Sequence, residues 1–418
     1  MACSSLGYAA AYAGLAPCEH AWLEPGETLP RTVESGNRLW DFDVVFVSCG
    51  WELEIPVLVA ALEASGISPF AADRPVNQPL VVGGGPLTLS NPDLLAVICD
   101  AVFVGEADNA FAQIDAAFDA ASSRNDALIR LAAIEGMWVP SSGAVAPPPV
   151  TVRLPATPLH SVFTDCENEF SGAFIVEVGR GCPRGCAFCV AFGGRRPSFF
   201  DADLILKTVP VGVARAGLLG AAVSDHPKLK YIVSSLLDRG TGVTLGSLRA
   251  DRIDEELVSM LARGGLRSMT IAADGPSERL RQSISKGITE DHIRNAARVA
   301  NTCGIDRLRV YVMVGLPGET DADITEFAKL MVELSAHVKI VVSVSPFVPK
   351  RFTPLEGAPF AGIGTVRRRI SDLKKQVGTR IEVRAGSVKQ AELEHRLSNV
   401  RLADAKALVA DVMKSNRS

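Results

Sequence analysis

The sequence has no uninterrupted apolar run of the ~18 residues that suggest a membrane helix, although 47% of its 418 residues are hydrophobic. Its first residues, Met1 to Tyr8, carry no basic segment, so no signal peptide is expected. It has no excess of positive charge: 43 Lys and Arg against 47 Asp and Glu give a formal charge of −4. That balance makes no field attractive to nucleic acid or an anionic membrane, and nucleic acid is not expected as a partner. A disulfide framework is also missing. The nine cysteines (Cys3, Cys18, Cys49, Cys99, Cys166, Cys182, Cys186, Cys189 and Cys303) are odd in number and scattered, which fits a reducing cytoplasm. Aromatic residues are scarce, at 6%. With the charge balance, this favours a small or lipid-like molecule over RNA as substrate.

What is present is a long alternation of strand and helix signals. Residues 1–39 are small and punctuated by Pro and Gly, and read as a lead-in segment with one short helix. Residues 40–125 carry apolar runs of strand length at Phe42–Cys49, Pro79–Val82 and Ala101–Val104, separated by helical patterns near 52–65, 93–98 and 108–121, the last capped by Asp108. This predicts an open, Rossmann-like parallel α/β sheet, with ligands expected beyond the carboxyl ends of its strands. Gly83, Gly84 and Glu106 lie at such ends. Taken alone, the glycines read first as a tight turn that needs positive φ, and second as a close approach to a cofactor. Residues 126–170, with Pro147-Pro-Pro149, read as a linker in which Met137–Pro140 and Gly143–Val145 pair as a hairpin.

From 171 to 350 the pattern repeats six times, with strands at Ala173–Val178, Gly217–Val223, Gly242–Leu245, Ser268–Ala272, Arg309–Val314 and Val338–Val344. Roughly 175 residues is short for an eight-unit barrel of about 250. A partial (β/α)6 barrel is expected. Residues 351–418 read as a small C-terminal α+β extension, with a basic helix at 365–377. Its run of Arg367, Arg368, Arg369, Lys374 and Lys375 reads as a solvated face, with an anionic partner as the lesser alternative.

Active groups of a parallel barrel gather at the carboxyl ends of its strands. The first strand is followed by Cys182, Cys186 and Cys189 at C-x3-C-x2-C spacing on a Gly-rich loop. Three thiolates on one loop suit three irons of a cubane cluster and leave the fourth iron without a protein ligand. The plainer alternative is a structural zinc knot completed by Cys166 or His160. Later strand ends bring Ser224, Asp225 and His226, then Arg249 and Asp251, Asp274, Gly315 to Glu319, and Phe347. Each has a structural reading beside the functional one. Asp225 also suits a helix cap, Arg249 an ion pair with Asp251 or Glu255, and Glu319 a loop-fixing acceptor. Cys303 reads as core. Asp225 and His226 are the candidate catalytic residues; His226 reads otherwise as a loop residue, and its place at the mouth makes it a candidate substrate contact.

The cysteine spacing, with Phe188 before the last cysteine, resembles the signature of the radical S-adenosylmethionine (radical SAM) superfamily. Asp43–Ser48, Gly83–Pro86, Val104–Glu106, Ser247–Asp251, Ser277–Arg281 and Gly315–Thr320 resemble the branch in which a Rossmann-like, cobalamin-binding-type domain precedes the barrel. The resemblance implies a 4Fe–4S cluster on Cys182, Cys186 and Cys189, with S-adenosylmethionine chelating the open iron. It implies Ser224 and Asp225 at the methionine amino group, Arg249 at its carboxylate and Asp274 at the ribose. Relatives often carry Glu at that last position. Gly315, Pro317, Phe347 and the backbone near Phe188 would line the adenine. The implied activity is reductive cleavage of the cofactor and radical functionalisation of an unactivated carbon, fed by a one-electron donor such as flavodoxin or ferredoxin. Cobalamin is a candidate further cofactor, and cobalamin-dependent methyl transfer the leading outcome. However, His20 is the sole histidine before residue 150, so the Asp-x-His-x-x-Gly motif of many corrin-binding domains is absent. A cobalamin-independent oxidation or rearrangement therefore stays open, as does a non-catalytic Fe–S or zinc module. Methylthio transfer fits less well, because those enzymes carry three further cluster cysteines in the N-terminal domain.

Overall fold

The computed structural model describes residues 5–15, 17–22, 29–163, 172–192 and 196–417. The chain divides into two units, Met1–Pro155 with Arg396–Ser418, and Ala156–His395.

In the first unit, β1 (Val44–Ser48), β2 (Leu80–Gly84) and β3 (Ala101–Phe103) are parallel and adjacent in that order. β2 and β3 are almost wholly buried, as their continuous apolar runs imply, while β1 at the sheet edge leaves Phe46 and Ser48 exposed. The helix Ile55–Ala64 begins with Pro56 in its first turn and turns Ile55, Leu58, Val59, Ala61 and Leu62 inward; Gly66, at φ 80°, follows its end. Two local expectations change here. β4 (Met137–Trp138) pairs antiparallel with β3 and does not form a hairpin with 143–145. Buried Trp138 donates its indole N–H to the Ala144 carbonyl at 2.8 Å instead. The helix expected from Asp108 starts at Phe111 with Ala110 in the cap, because the chain first makes a turn in which Ala110 N–H donates to the Ala107 carbonyl. Residues 126–155, read as linker, are largely integral to this unit.

The C-terminal extension is split between the units. The helix Leu402–Arg417 joins the first, where fully buried Asn91 donates to the carbonyls of Leu397 (2.8 Å) and Val400 (3.1 Å), and Asp93 accepts from Leu402 N–H (3.1 Å).

The second unit carries the six expected strands in order: β5 (Phe174–Arg180), β7 (Arg215–Gly220), β8 (Gly242–Leu245), β9 (Ser268–Asp274), β10 (Arg307–Val314) and β11 (Lys339–Pro346). All run parallel to their neighbours. A parallel bridge, Leu248 to Ile271, links the β5–β7–β8 sheet to the sheet that starts at β9. This is the partial barrel. Two edge strands join it: β6 (Ser198–Phe199), antiparallel on β5, which was not expected, and β12 (Glu382–Ala385), parallel on β11, where a strand at 380–383 was expected as part of the C-terminal extension. The helix Ile363–Val377 and β12 thus extend the barrel sheet by another unit beyond residue 350. Helices begin where side-chain acceptors meet free N–H groups: Asp201, Asp254, Ser277 and Thr289 each accept from the backbone two or three residues on.

Two bulges sharpen the mouth. β5 skips Val178 against β7, and β9 skips Ala273 against β10, so both strands bend just before their ends. After the second bulge Asp274 adopts φ 62°, a left-handed conformation for a non-glycine residue.

Candidate functional site

Every residue of β5 is buried, and Glu177 and Arg180 pair with each other through two bonds of 2.7 and 3.1 Å. The strand ends at Gly181, whose φ of 73° turns the chain into the cysteine loop. Cys182, Cys186 and Cys189 are all free thiols. The loop is pinned by its backbone: Ala187 N–H donates to the Ile284 carbonyl (2.9 Å), and Leu355 N–H donates to the Ala187 carbonyl (3.2 Å). Phe188 packs against Leu280, Ile284, Leu316 and Phe347, an apolar floor drawn from the ends of β9, β10 and β11. Among the described residues no three His, Cys, Asp or Glu side chains converge as a single ion would require.

Charged groups from the neighbouring strand ends surround this loop. Arg184, within the loop, donates to Asp225 Oδ1 at 2.7 Å, and Arg252 reaches the same oxygen at 3.0 Å. Asp225 Oδ2 and Arg184 Nε are buried without a partner among the described residues. Arg249 grips Asp251 with Nε and Nη2 (2.9 and 3.3 Å) and donates Nη2 to the Lys286 carbonyl (3.0 Å). Its backbone N–H donates to Ser224 Oγ (3.3 Å). Lys286 Nζ lies 2.5 Å from Asp274 Oδ2. Burial pushes the Cys186 thiol up, while the positive charges of Lys286 and Arg249 pull it partly back. Burial also raises Asp251, but the bonds and charge of Arg249, aided by Arg184, outweigh it and hold that carboxyl below its usual range. Groups from the ends of β5, β7, β8 and β9 therefore meet at one mouth.

Several expected residues take other roles. His226 is held by the backbone. It is buried, Nδ1 accepts from Lys228 N–H (3.1 Å), and so Nε2 donates to the Phe200 carbonyl (3.1 Å). Glu319 fixes its loop as the structural reading had it: Oε2 accepts from Gly315 and Leu316 N–H (2.9 and 3.2 Å), and Oε1 lies 2.9 Å from Arg369 Nη1. Arg368 pairs with Asp321 at 2.9 and 3.0 Å with both partners exposed, as a solvated face allows, while Arg369, mostly buried against Glu319, is the structural member of the basic run. Gly315 is required by its φ of 97°, and Pro317 is half-buried beside it. His160 stacks on Phe174 at the start of β5, the end away from the cysteine loop, with Nδ1 at the Pro158 carbonyl (3.1 Å). It cannot complete a zinc knot there. Cys166 lies outside the described residues. Cys303 is a half-buried helix cap rather than core, with its sulfur 3.3 Å from Ser259 Oγ. Arg184 and Lys286 were missed. Arg184 sat in view between two of the motif's cysteines, and Lys286 was the lone charge in Ser283–Ile288.

In the first unit the strand ends are closed by the chain's own backbone. A Cβ on Gly83 would lie 2.6 Å from Cys99 Sγ, and one on Gly85 (φ 101°) would lie 2.6 Å from the Cys49 carbonyl oxygen. Gly84 has ordinary space around it. Glu106 accepts from Val152 N–H (2.8 Å) and its own N–H donates to the Val150 carbonyl (3.0 Å). Beyond β1, buried Glu52 accepts from Ser90 Oγ at 3.1 Å.

Residues 176–331 match the model of the radical SAM superfamily, and residues 15–140 match the model of the N-terminal region of radical SAM proteins. The chain belongs to the radical SAM superfamily. An uncharacterized protein of Methanocaldococcus jannaschii is 28% identical over 343 residues, which cover 78% of this chain and 71% of the relative. An uncharacterized methyltransferase of Pyrococcus horikoshii is 23% identical over 286 residues, 64% of this chain and 61% of the relative. Among solved structures, the cobalamin-dependent radical SAM enzyme OxsB aligns with 86% of this chain and 53% of its own, at 13% identity and a TM-score of 0.48. This chain thus spans little more than half of OxsB.

Radical SAM membership implies a 4Fe–4S cluster and S-adenosylmethionine. The mouth fits both: three free thiols on one pinned loop, beside an orphaned carboxylate oxygen and an orphaned guanidinium nitrogen. The first unit does not fit a corrin in the same way. Among the described residues its strand order, β1–β2–β3–β4, does not reverse, so they form no switch-point crevice. Its closing residues are occupied by one another, and His20 is held by Glu34, with Nδ1 2.6 Å from Oε1. No described helix is long and apolar enough to cross a membrane.

Proposed function

We propose that this radical SAM enzyme binds a 4Fe–4S cluster through Cys182, Cys186 and Cys189, cleaves S-adenosylmethionine reductively, and functionalises an unactivated carbon of a small molecule. The observation that carries this reading is the meeting of three free thiols with Asp225 Oδ2 and Arg184 Nε, both buried and unpartnered among the described residues. Bound cluster and cofactor supply a one-electron cleavage that generates a carbon radical able to remove hydrogen from an unactivated carbon.

The chain's own residues bind, orient and exclude water. Asp225 and Ser224 offer a carboxylate and a hydroxyl to the methionine ammonium. Arg249, held in place by Asp251 and the Lys286 carbonyl, presents its guanidinium to the methionine carboxylate. Asp274, re-aimed by the bulge at the end of β9, meets the ribose hydroxyls. Phe188, Leu316 and Phe347 make the dry floor for adenine, with Gly315 keeping the backbone close. His226 moves no proton in this scheme, since both ring nitrogens bond the backbone. A ferredoxin or flavodoxin supplies the electron, and free cysteines throughout the described chain support a cytoplasmic setting.

Methyl transfer is supported as the outcome by the relative named a methyltransferase. No step is assigned to cobalamin, because the strand-end residues described in the first unit bond one another. The test is anaerobic reconstitution with iron and sulfide, reduction with dithionite and mass spectrometry for 5′-deoxyadenosine. Formation of that product supports the reading. Cluster-loaded, reduced protein that makes none, with candidate substrates present, would sink it.

A further inference from the structure

Lys286 is buried at the mouth of the second unit, in the loop that follows the short helix Glu278–Ser283. It joins three strand ends. Its ammonium pairs with Asp274 at the end of β9 at 2.5 Å, and its carbonyl accepts from Arg249 after β8 at 3.0 Å. Two residues earlier, the Ile284 carbonyl accepts from Ala187 between Cys186 and Cys189 at 2.9 Å. The loop cannot drift. Lys286 N–H donates to the Arg281 carbonyl (2.8 Å), and fully buried Arg281 donates to the carbonyls of Ile288, Gly275 and Pro276 at 2.7 to 3.2 Å. Ser285 pays for this tight path with a φ of 55°. The loop thus brings buried Lys286 next to the segment that carries Cys186 and Cys189.

A buried ammonium on a loop that is bonded to the cysteine loop favours whichever oxidation state of the cluster carries more negative charge. We propose that Lys286 is a positioning residue that sets the reduction potential of the cluster, acting as the fixed countercharge that makes the added electron easier to accept, with Asp274 opposing it. This rests on the ligand reading given under Proposed function. The step is a one-electron reduction: dithionite is oxidised and the cluster gains the electron, with no bond made or broken in the protein.

The test is an anaerobic redox titration of the reconstituted cluster, followed by electron paramagnetic resonance, without S-adenosylmethionine. Wild type, Lys286→Met, Lys286→Arg and Asp274→Asn are compared. For Lys286→Met we expect a more negative midpoint, with about a tenfold lower reduced-to-oxidised ratio at the wild-type midpoint, or about 59 mV for one electron. Lys286→Arg keeps the charge and stays near wild type. Asp274→Asn removes the opposing charge and shifts the midpoint upward. A Lys286→Met cluster titrating at the wild-type potential overturns the inference. If that variant takes up no cluster, Asp274→Asn decides: an unmoved or lower midpoint overturns the inference. Wild-type protein that binds no cluster overturns the ligand reading itself, and the inference with it.

Discussion

Both units are built on parallel strands, and in both the carboxyl ends of those strands carry the Gly-rich and acidic loops where ligands of such sheets bind. They differ in what those loops bond to. In the first unit Glu106 holds Val150 and Val152, Glu52 holds Ser90, and Gly85 lies against Cys49. In the second, three cysteines form no disulfide, and the buried atoms without hydrogen-bond partners among the described residues include Asp225 Oδ2 and Arg184 Nε at the mouth. An unpaired buried polar atom costs about 1–3 kcal/mol, and such a cost is tolerated where a ligand is to be met. One sheet edge is a closed scaffold and the other an open site.

Changes at the two edges should therefore fail in different ways. The largest effect is expected from Cys186→Ala, which should abolish cluster absorbance while circular dichroism stays that of the wild type. Gly105→Ala should do the reverse. With φ 107° and the Val150 backbone in the path of a Cβ, it should destabilise the first unit by about 2–4 kcal/mol in denaturant unfolding, leaving cluster content per folded chain unchanged. Asp225→Asn should weaken S-adenosylmethionine binding about tenfold, or roughly 1.4 kcal/mol, by equilibrium titration, with the cluster retained. Expression with hydroxocobalamin should yield protein without a corrin spectrum; a bound corrin would break the contrast between the two edges. The smallest effect concerns pH. Burial lowers the pKa of His226, so the folded state keeps it neutral where the unfolded chain already binds a proton. Stability from this residue is present above about pH 6.5 and is lost as pH falls from there through the folded value. His226→Gln should flatten that part of a Tm-versus-pH curve.

Much of this architecture was legible. The apolar runs of β1 to β3 and the six barrel strands are written as apolar stretches closed by Gly or polar residues, and the cysteine motif marks the first barrel loop. Long-range choices were not. Met137–Trp138 is as apolar beside Val145 as beside β3, and local sequence does not say which edge it joins. The bonds from Asn91 to residues more than 300 positions away, which bring the last helix to the first unit, leave no local pattern. For the site, residue types at strand ends were readable but orientation was not. His226 turns inward because its ring bridges two backbone groups, and Lys286 enters because a buried arginine folds its loop toward the cysteines.

The most direct test of the open mouth is electron paramagnetic resonance of the reduced, reconstituted protein before and after S-adenosylmethionine is added. The account predicts about four irons per chain and a reduced-cluster signal that changes on addition, as an iron without a protein ligand requires. A single zinc in place of iron, or a cluster signal indifferent to S-adenosylmethionine, would contradict it.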